Sequence, residues 1–231
     1  MPRTGPKMTA EEIVAELRGM ADEHNREGMA RFGIATEHAL GISVANLRKL
    51  ARRAGKDHAL AQQLWGTGLH EARILASIVD MPAEVTEEQM DLWVRDFDSW
   101  DLCDQCCGNL FWQTEHATRK ALEWSEREPE FEKRAGFALM AYIAWHDKAA
   151  PDSLFMSFLP VIRREAGDKR NFVRKAVNWA LREIGKRNHA LNAAAVALAQ
   201  SILDSGDRAS RWVASDALRE LTSDAVRGRL G

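Results

Sequence analysis

Three stretches of the C-terminal half decide the fold: EKRAGFAL (Glu132–Leu139), VRKAVNWAL (Val173–Leu181) and RWVASDAL (Arg211–Leu218). Each opens a unit on charged residues and an arginine, then continues with small apolar residues that let one helix lie close against the next. The three units begin near residues 130, 171 and 208. An approximate recurrence of this kind, without fixed signature residues, belongs to a solenoid of the HEAT type, in which each unit buries its apolar face only against its neighbours.

Working outward, the same periodicity runs through almost the whole chain. It predicts helices over 9–22, 24–39, 44–54, 57–66, 68–79, 86–95, 99–111, 114–126, 130–146, 151–166, 171–187, 189–204 and 208–220. Several have recognisable starts: Thr9 with Glu11 and Glu12, Thr86 with Glu87 and Glu88, and Asp152 after Pro151. No credible strand interrupts them. Thirteen helices of two to four turns with short connections argue for stacked pairs in place of a four-helix bundle. The expected fold is all-α: a right-handed solenoid of antiparallel helical pairs, HEAT/armadillo-like, with a concave binding face. Residues 1–8 are expected to be a flexible N-terminal segment, 9–223 a single helical-repeat domain and 224–231 a frayed C-terminus.

Composition narrows the class. In 231 residues, 45% are hydrophobic and 29% charged, which excludes wholesale disorder. No run of 18 apolar residues offers a membrane span, and MPRTGPKMTAEE lacks the apolar core of a secretory signal. The expectation is a cytoplasmic protein without membrane association. Cys103, Cys106 and Cys107 form a formal CxxC, but no second pair and no βαβ pattern accompany it, so they read mainly as small buried side chains. His70 and Glu71 in LHEAR lack the second histidine of HExxH and read as an interhelix hydrogen-bonding and capping element. No Gly-rich phosphate loop is present, and neither a metal nor an organic cofactor is implied.

The net charge is only -2, but its distribution is uneven. Residues 163–187 carry nine basic side chains (Arg163, Arg164, Lys169, Arg170, Arg174, Lys175, Arg182, Lys186, Arg187) against three acidic ones; residues 84–104 carry eight acids and one arginine. A basic run of this kind can form a positive track for a polyanion or simply a solvated helix face. Arg48 and Arg52, with Lys49 and Arg53, make a smaller patch with the same two readings. Trp100 and Asp104 in SWDLCD are four apart, so a helix sets an aromatic ring and a carboxylate on one face. An anion beside aromatic faces is a place to hold a cation, although tryptophan at helical spacing also serves as core.

Read together, FGIATEHALGISVANLRKLAR (32–52), LWGTGLHEARILASIV (64–79), FDSWDLCD (97–104), FEKRAGFAL (131–139) and NFVRKAVNWALREIGKRN (171–188) resemble the HEAT-repeat alkylpurine DNA glycosylases of the bacterial DNA alkylation repair family. The resemblance implies that Asp104 is the catalytic aspartate, Trp100 its aromatic neighbour, Arg134 a backbone-contacting arginine and Trp179 a second aromatic. It implies excision of N3- or N7-alkylated purines from damaged duplex DNA without extrusion of the base, unlike base-flipping glycosylases. DNA is then the expected partner, the basic residues named above its contacts, and a monomer the expected working form. Local readings remain beside these: Asp101 or Asp104 capping a helix that begins near residue 102, and Arg134 paired with an acid across a helix interface. So do two alternatives for the whole chain, a non-catalytic binder of branched or distorted DNA and a protein-interaction solenoid.

Overall fold

The computed structural model describes residues 8–205 and 207–230; among them there is no strand. The chain folds as two compact units, the first ending at Thr114 and the second beginning at Glu115. The expected flexible segment 1–8 lies, apart from Met8, outside the described residues.

The N-terminal unit holds α1 (Ala10–Gly19), α2 (Glu23–Ala30), α3 (Val44–Ala54), α4 (His58–Gly66), α5 (His70–Val79), α6 (Glu87–Arg95) and α7 (Trp100–Asn109), with single 3-10 turns at Pro82–Glu84 and Phe111–Gln113. Local chemistry starts most of them. Thr9 and Glu12 close a reciprocal capping box at α1, and the side chains of Asp22, Ser43, Asp57 and Thr86 accept amides at the starts of α2, α3, α4 and α6. α5 packs on α3, α4 and α7. Their buried faces meet around Leu47, Leu50, Leu64 and Leu75, beside stacked Trp65 and Trp93 rings 3.9 Å apart.

The C-terminal unit holds α8 (Ala117–Trp124), α9 (Glu130–His146), α10 (Asp152–Glu165), α11 (Asn171–Gly185), α12 (His189–Ser205), α13 (Arg208–Leu221) and α14 (Asp224–Arg227). Consecutive helices pack as pairs, α8 on α9, α10 on α11 and α12 on α13, and α11 also packs on both α9 and α13. The three stretches that decide the fold therefore lie on α9, α11 and α13, neighbours in one row. Gly136 sets the closest approach: a Cβ there would lie 2.5 Å from the Ser125 nitrogen and 2.8 Å from the Ala121 oxygen, so only glycine lets α9 pass the end of α8.

Within each unit, polar contacts between successive repeats mark the repeat length. In the N-terminal unit Leu40 to Glu71, Trp65 to Asp96 and His70 to Asp101 each span 31 residues. In the C-terminal unit Glu126 to Arg164, Arg163 to Ser201, Arg134 to Phe172, Asn178 to Asp216 and Arg182 to Glu220 each span 38.

Two expectations differ from the structure. The helix over 24–39 ends at Ala30, and residues 31–43 form a loop that turns through Gly33 and Gly41, both with positive φ. A Cβ at Gly41 would overlap the Asp22 carbonyl oxygen, so the loop can close on α2 only with glycine there. The C-terminal residues expected to be frayed carry α14, capped by the Ser223 side chain, and Leu230 is buried.

Candidate nucleic-acid site

In the N-terminal unit the candidate residues sit on α7. Ser99 precedes the helix without a side-chain cap; α7 begins at Trp100, within the predicted span 99–111 and two residues before the start near 102 that the capping reading needs, and Asp104 lies a full turn inside. Asp104 therefore does not cap the helix. Trp100 and Asp104 share a face, and both are half-buried.

The first turn of α7 is fixed by long-range contacts. The Trp100 Nε1 donates to the Phe32 carbonyl at 3.0 Å, and His70 Nε2 lies 2.9 Å from an Asp101 carboxylate oxygen. His70 is 3% exposed; burial works against its charge, but the hydrogen bond and charge of Asp101, with Glu71 and Asp98, outweigh burial and hold its pKa above the ordinary value. Burial likewise works against ionised Asp101, yet His70, Ser99 and the Leu102 amide together keep its pKa below the ordinary carboxylate value. Adjacent Glu71, wholly buried, accepts from the amides of Leu40, Gly41 and Ile42 at 2.8, 2.7 and 3.1 Å. His70 and Glu71 thus form the hydrogen-bonding element read from LHEAR. They tie α5 to α7 and to the loop that receives Trp100.

On the same helix Cys103, Cys106 and Cys107 are wholly buried, and burial, with Cys103 nearby, pushes the Cys106 thiol well up. They serve as small core side chains of α7.

In the C-terminal unit Trp179 is half-buried on α11, edge-on to Tyr142 of α9 with ring centroids 5.0 Å apart. Tyr142 also stacks on His146, whose ring lies 4.5 Å from that of Trp145. Trp145 is 53% exposed. The signal was present in YIAWH, where residues 142, 145 and 146 share one helical face. Arg134 is 6% exposed and donates from one guanidinium nitrogen to the Phe172 carbonyl at 2.6 Å, between α9 and α11.

The basic run divides sharply. Arg164 pairs with Glu165 and Glu126, Arg170 with Asp168, Arg182 with Glu220, and Lys186 with Glu183 and Glu220. Arg187 donates to the carbonyls of Ala144, Asp147 and Ala150, and Arg163 to the Ser201 hydroxyl. Lys169 and Lys175 are exposed with no side-chain partner among the described residues. Arg174 lies over the Trp212 ring at 4.6 Å and lines a depression of about 480 Å³ with Lys169, Asp207 and Arg208. This basic and aromatic surface spans the starts of α11 and α13; Arg208 and Trp212 add to the residues read from sequence. In the N-terminal unit Arg48 and Arg52 are exposed on α3 and line one depression of about 360 Å³ with Lys56.

Rows of paired helices with repeat-to-repeat polar contacts define a HEAT-like helical-repeat protein, and a solved structure bears this out. It is described as "A new family of proteins related to the HEAT-like repeat DNA glycosylases with affinity for branched DNA structures" and matches with a TM-score of 0.78 at 20% identity, over 97% of this chain and 97% of that one. The model for the DNA alkylation repair enzyme family matches residues 13–221, and the chain belongs to that family. A designed armadillo repeat protein in complex with a (KR)4 peptide is a far weaker match, with a TM-score of 0.32 at 14% identity over 80% of this chain and 88% of that one. No curated protein matches the sequence significantly. Among the described residues no helix is long and apolar enough to cross a membrane.

Proposed function

We propose that the protein is a DNA glycosylase that hydrolyses the N-glycosidic bond of cationic N3- or N7-alkylated purines in duplex DNA without extruding the base. The observation that carries this reading is the α7 face, where Asp104 stands one turn beyond a first turn anchored by the Trp100–Phe32 and His70–Asp101 hydrogen bonds. A carboxylate on a helix fixed at its first turn suits chemistry in which positive charge develops at a fixed point.

Alkylation at N3 or N7 gives the purine a positive charge and makes it a good leaving group. As the C1′–N bond breaks, its electron pair returns to the purine, which departs neutral, and oxocarbenium character passes to the deoxyribose. Asp104 as a carboxylate stabilises that cation and orients the water whose oxygen bonds to C1′; the water's surplus proton passes to the carboxylate or to solvent. The base is already cationic, so no general acid is needed. Trp100 offers a ring face and a low-dielectric wall beside the developing charge. In the C-terminal unit Trp179 is assigned a DNA contact, and Lys169, Arg174, Lys175 and Arg208 the phosphate contacts.

The test is release of N7-methylguanine and N3-methyladenine from methylated duplex DNA, with Asp104→Asn in parallel. The variant removes charge with little change of shape, so folding and DNA binding should persist while release falls by about 10²–10³-fold, the scale of one lost electrostatic stabiliser. Equal release by both proteins would sink the assignment.

A second reading, a non-catalytic binder of branched or distorted DNA, draws on Arg134, whose buried guanidinium is engaged with the Phe172 carbonyl. The similar structure described as having affinity for branched DNA supports the same alternative. No base release together with salt-sensitive binding would select it.

A further inference from the structure

The C-terminal unit contains a cavity of about 520 Å³ that the glycosylase chemistry leaves unused. Trp145 at the end of α9 stands on one side, and the α9–α10 loop, the α11–α12 connection and α14 supply the rest. Four cations, Lys148, Lys186, Arg187 and Arg229, face it against two carboxylates, Asp152 and Glu183.

The wall is built before any ligand arrives. Arg187 donates to the carbonyls of Ala144, Asp147 and Ala150 and lies over the Phe155 ring at 3.9 Å. The Asp147 carboxylate accepts from the amides of Ala149 and Ala150, both at 3.0 Å, which fixes the turn of the same loop. Asn188 donates to Asp152 across the cavity's edge at 2.9 Å. Lys186 is engaged with Glu183 and Glu220. That leaves two cations for a ligand: Lys148 and Arg229 are exposed and have no side-chain partner among the described residues.

An exposed indole beside two such cations on a preformed wall matches a nucleotide, whose base offers a flat π-face and whose phosphate offers the anion. Trp145 remains 53% exposed although His146 stacks 4.5 Å from it, so enough indole surface stays open for a second ring. A paired base inside a duplex cannot present its face, whereas one at a bulge, flap or branch can.

We propose that this cavity captures one unpaired nucleotide of the bound DNA, its base stacked on Trp145 and its phosphate held by Lys148 and Arg229. The inference rests on the DNA-binding reading above and holds equally for an enzyme and a non-catalytic binder.

The test measures equilibrium binding of the full chain to three DNAs of one sequence: a perfect duplex, the duplex with a one-nucleotide bulge, and the same bulge lacking its base. Wild type should bind the base-bearing bulge about tenfold more tightly than the abasic one, the scale of one base–aromatic stack. Trp145→Ala should erase that difference while duplex affinity stays unchanged, and Trp145→Phe should keep part of it. Lys148→Glu with Arg229→Glu should weaken both bulged DNAs more than the duplex. Because Trp145 is half-exposed, circular dichroism should find every variant folded. A base-dependent difference that survives Trp145→Ala, or one absent from wild type that still binds duplex, overturns the cavity assignment alone. Failure of wild type to bind any of the three overturns the DNA reading and the cavity assignment with it.

Discussion

The two units build the same kind of repeat with opposite chemistry. In the N-terminal unit, contacts between successive repeats converge on acids: Glu71 receives three backbone amides, Asp101 meets His70, and Asp96 receives Trp65 and Arg73. In the C-terminal unit they radiate from bases: Arg134 and Arg187 donate to carbonyls, and Lys133 and Arg182 reach carboxylates in the next repeat. The step is 31 residues in the first unit and 38 in the second, a difference of roughly two helical turns. It goes with helix length, since α9 to α13 run 14 to 17 residues while α1 to α7 run 8 to 11. Asp96 and Asp101 of the acidic stretch 84–104, and much of the basic run 163–187, are therefore mortar between repeats. In the basic run the exposed Lys169 and Lys175, with no side-chain partner among the described residues, remain available to a ligand.

The sharpest way to break this comparison is to remove one hub from each unit. Glu71→Ala leaves three amides without an acceptor and should lower stability by about 3–5 kcal/mol, the scale of several donors left unsatisfied at once. Arg187→Ala frees carbonyls at the rim of a cavity, where water replaces the guanidinium, and should cost about 1–3 kcal/mol. Denaturant titration of both variants gives the ratio. Equal losses would mean that the acid hubs are no more deeply integrated than the basic ones.

The His70–Asp101 pair makes the N-terminal unit sensitive to pH in a way the arginine contacts are not. His70 is held above its ordinary 6.5, so its share of stability is complete below that value and is lost as pH rises through the folded pKa. Asp101 is held below its ordinary 3.8, so its share is complete above that value and is lost as pH falls through the folded pKa. The pair therefore stabilises most between these two ordinary values. His70→Gln should flatten the stability profile above pH 6.5 while leaving a neutral hydrogen-bonding side chain; thermal unfolding across pH 4 to 9 checks it, and an unchanged slope would show that His70 stays neutral.

How much of this was legible depended on whether the signal was local. Capping residues such as Thr9 and Thr86, and the periodicity of EKRAGFAL and VRKAVNWAL, lie within a few residues of the helices they start or face, and they read correctly. The loop 31–43 did not, because Phe32 and Ile34 continue the apolar pattern and the carboxylate that holds the loop comes from Glu71, some thirty residues further on. At the candidate site the pairing of Trp100 with Asp104 was legible for the same reason, a four-residue spacing on one helix. Asp101 as the partner of His70 was not, nor was the burial of Arg134, whose carbonyl partner lies 38 residues away. Charge counting along the chain registers that a basic run exists; it carries no information on which members the next repeat has already engaged.

That division can be measured through salt. Each phosphate contact releases counterions, so log affinity falls with log salt in proportion to the number of contacts. Replacing Lys169 or Lys175 by Gln removes an exposed cation with no side-chain partner among the described residues, and each should reduce the slope by about 1 while weakening DNA of any sequence alike. Arg182→Gln removes a cation already engaged by Glu220 and Asp216, so it should alter stability and leave the slope in place. The effect per residue is small, and it is the contrast that is informative. If Arg182→Gln lowers the slope as much as Lys175→Gln does, the ion pairs open on binding, and the mortar of the C-terminal unit is itself part of the DNA surface.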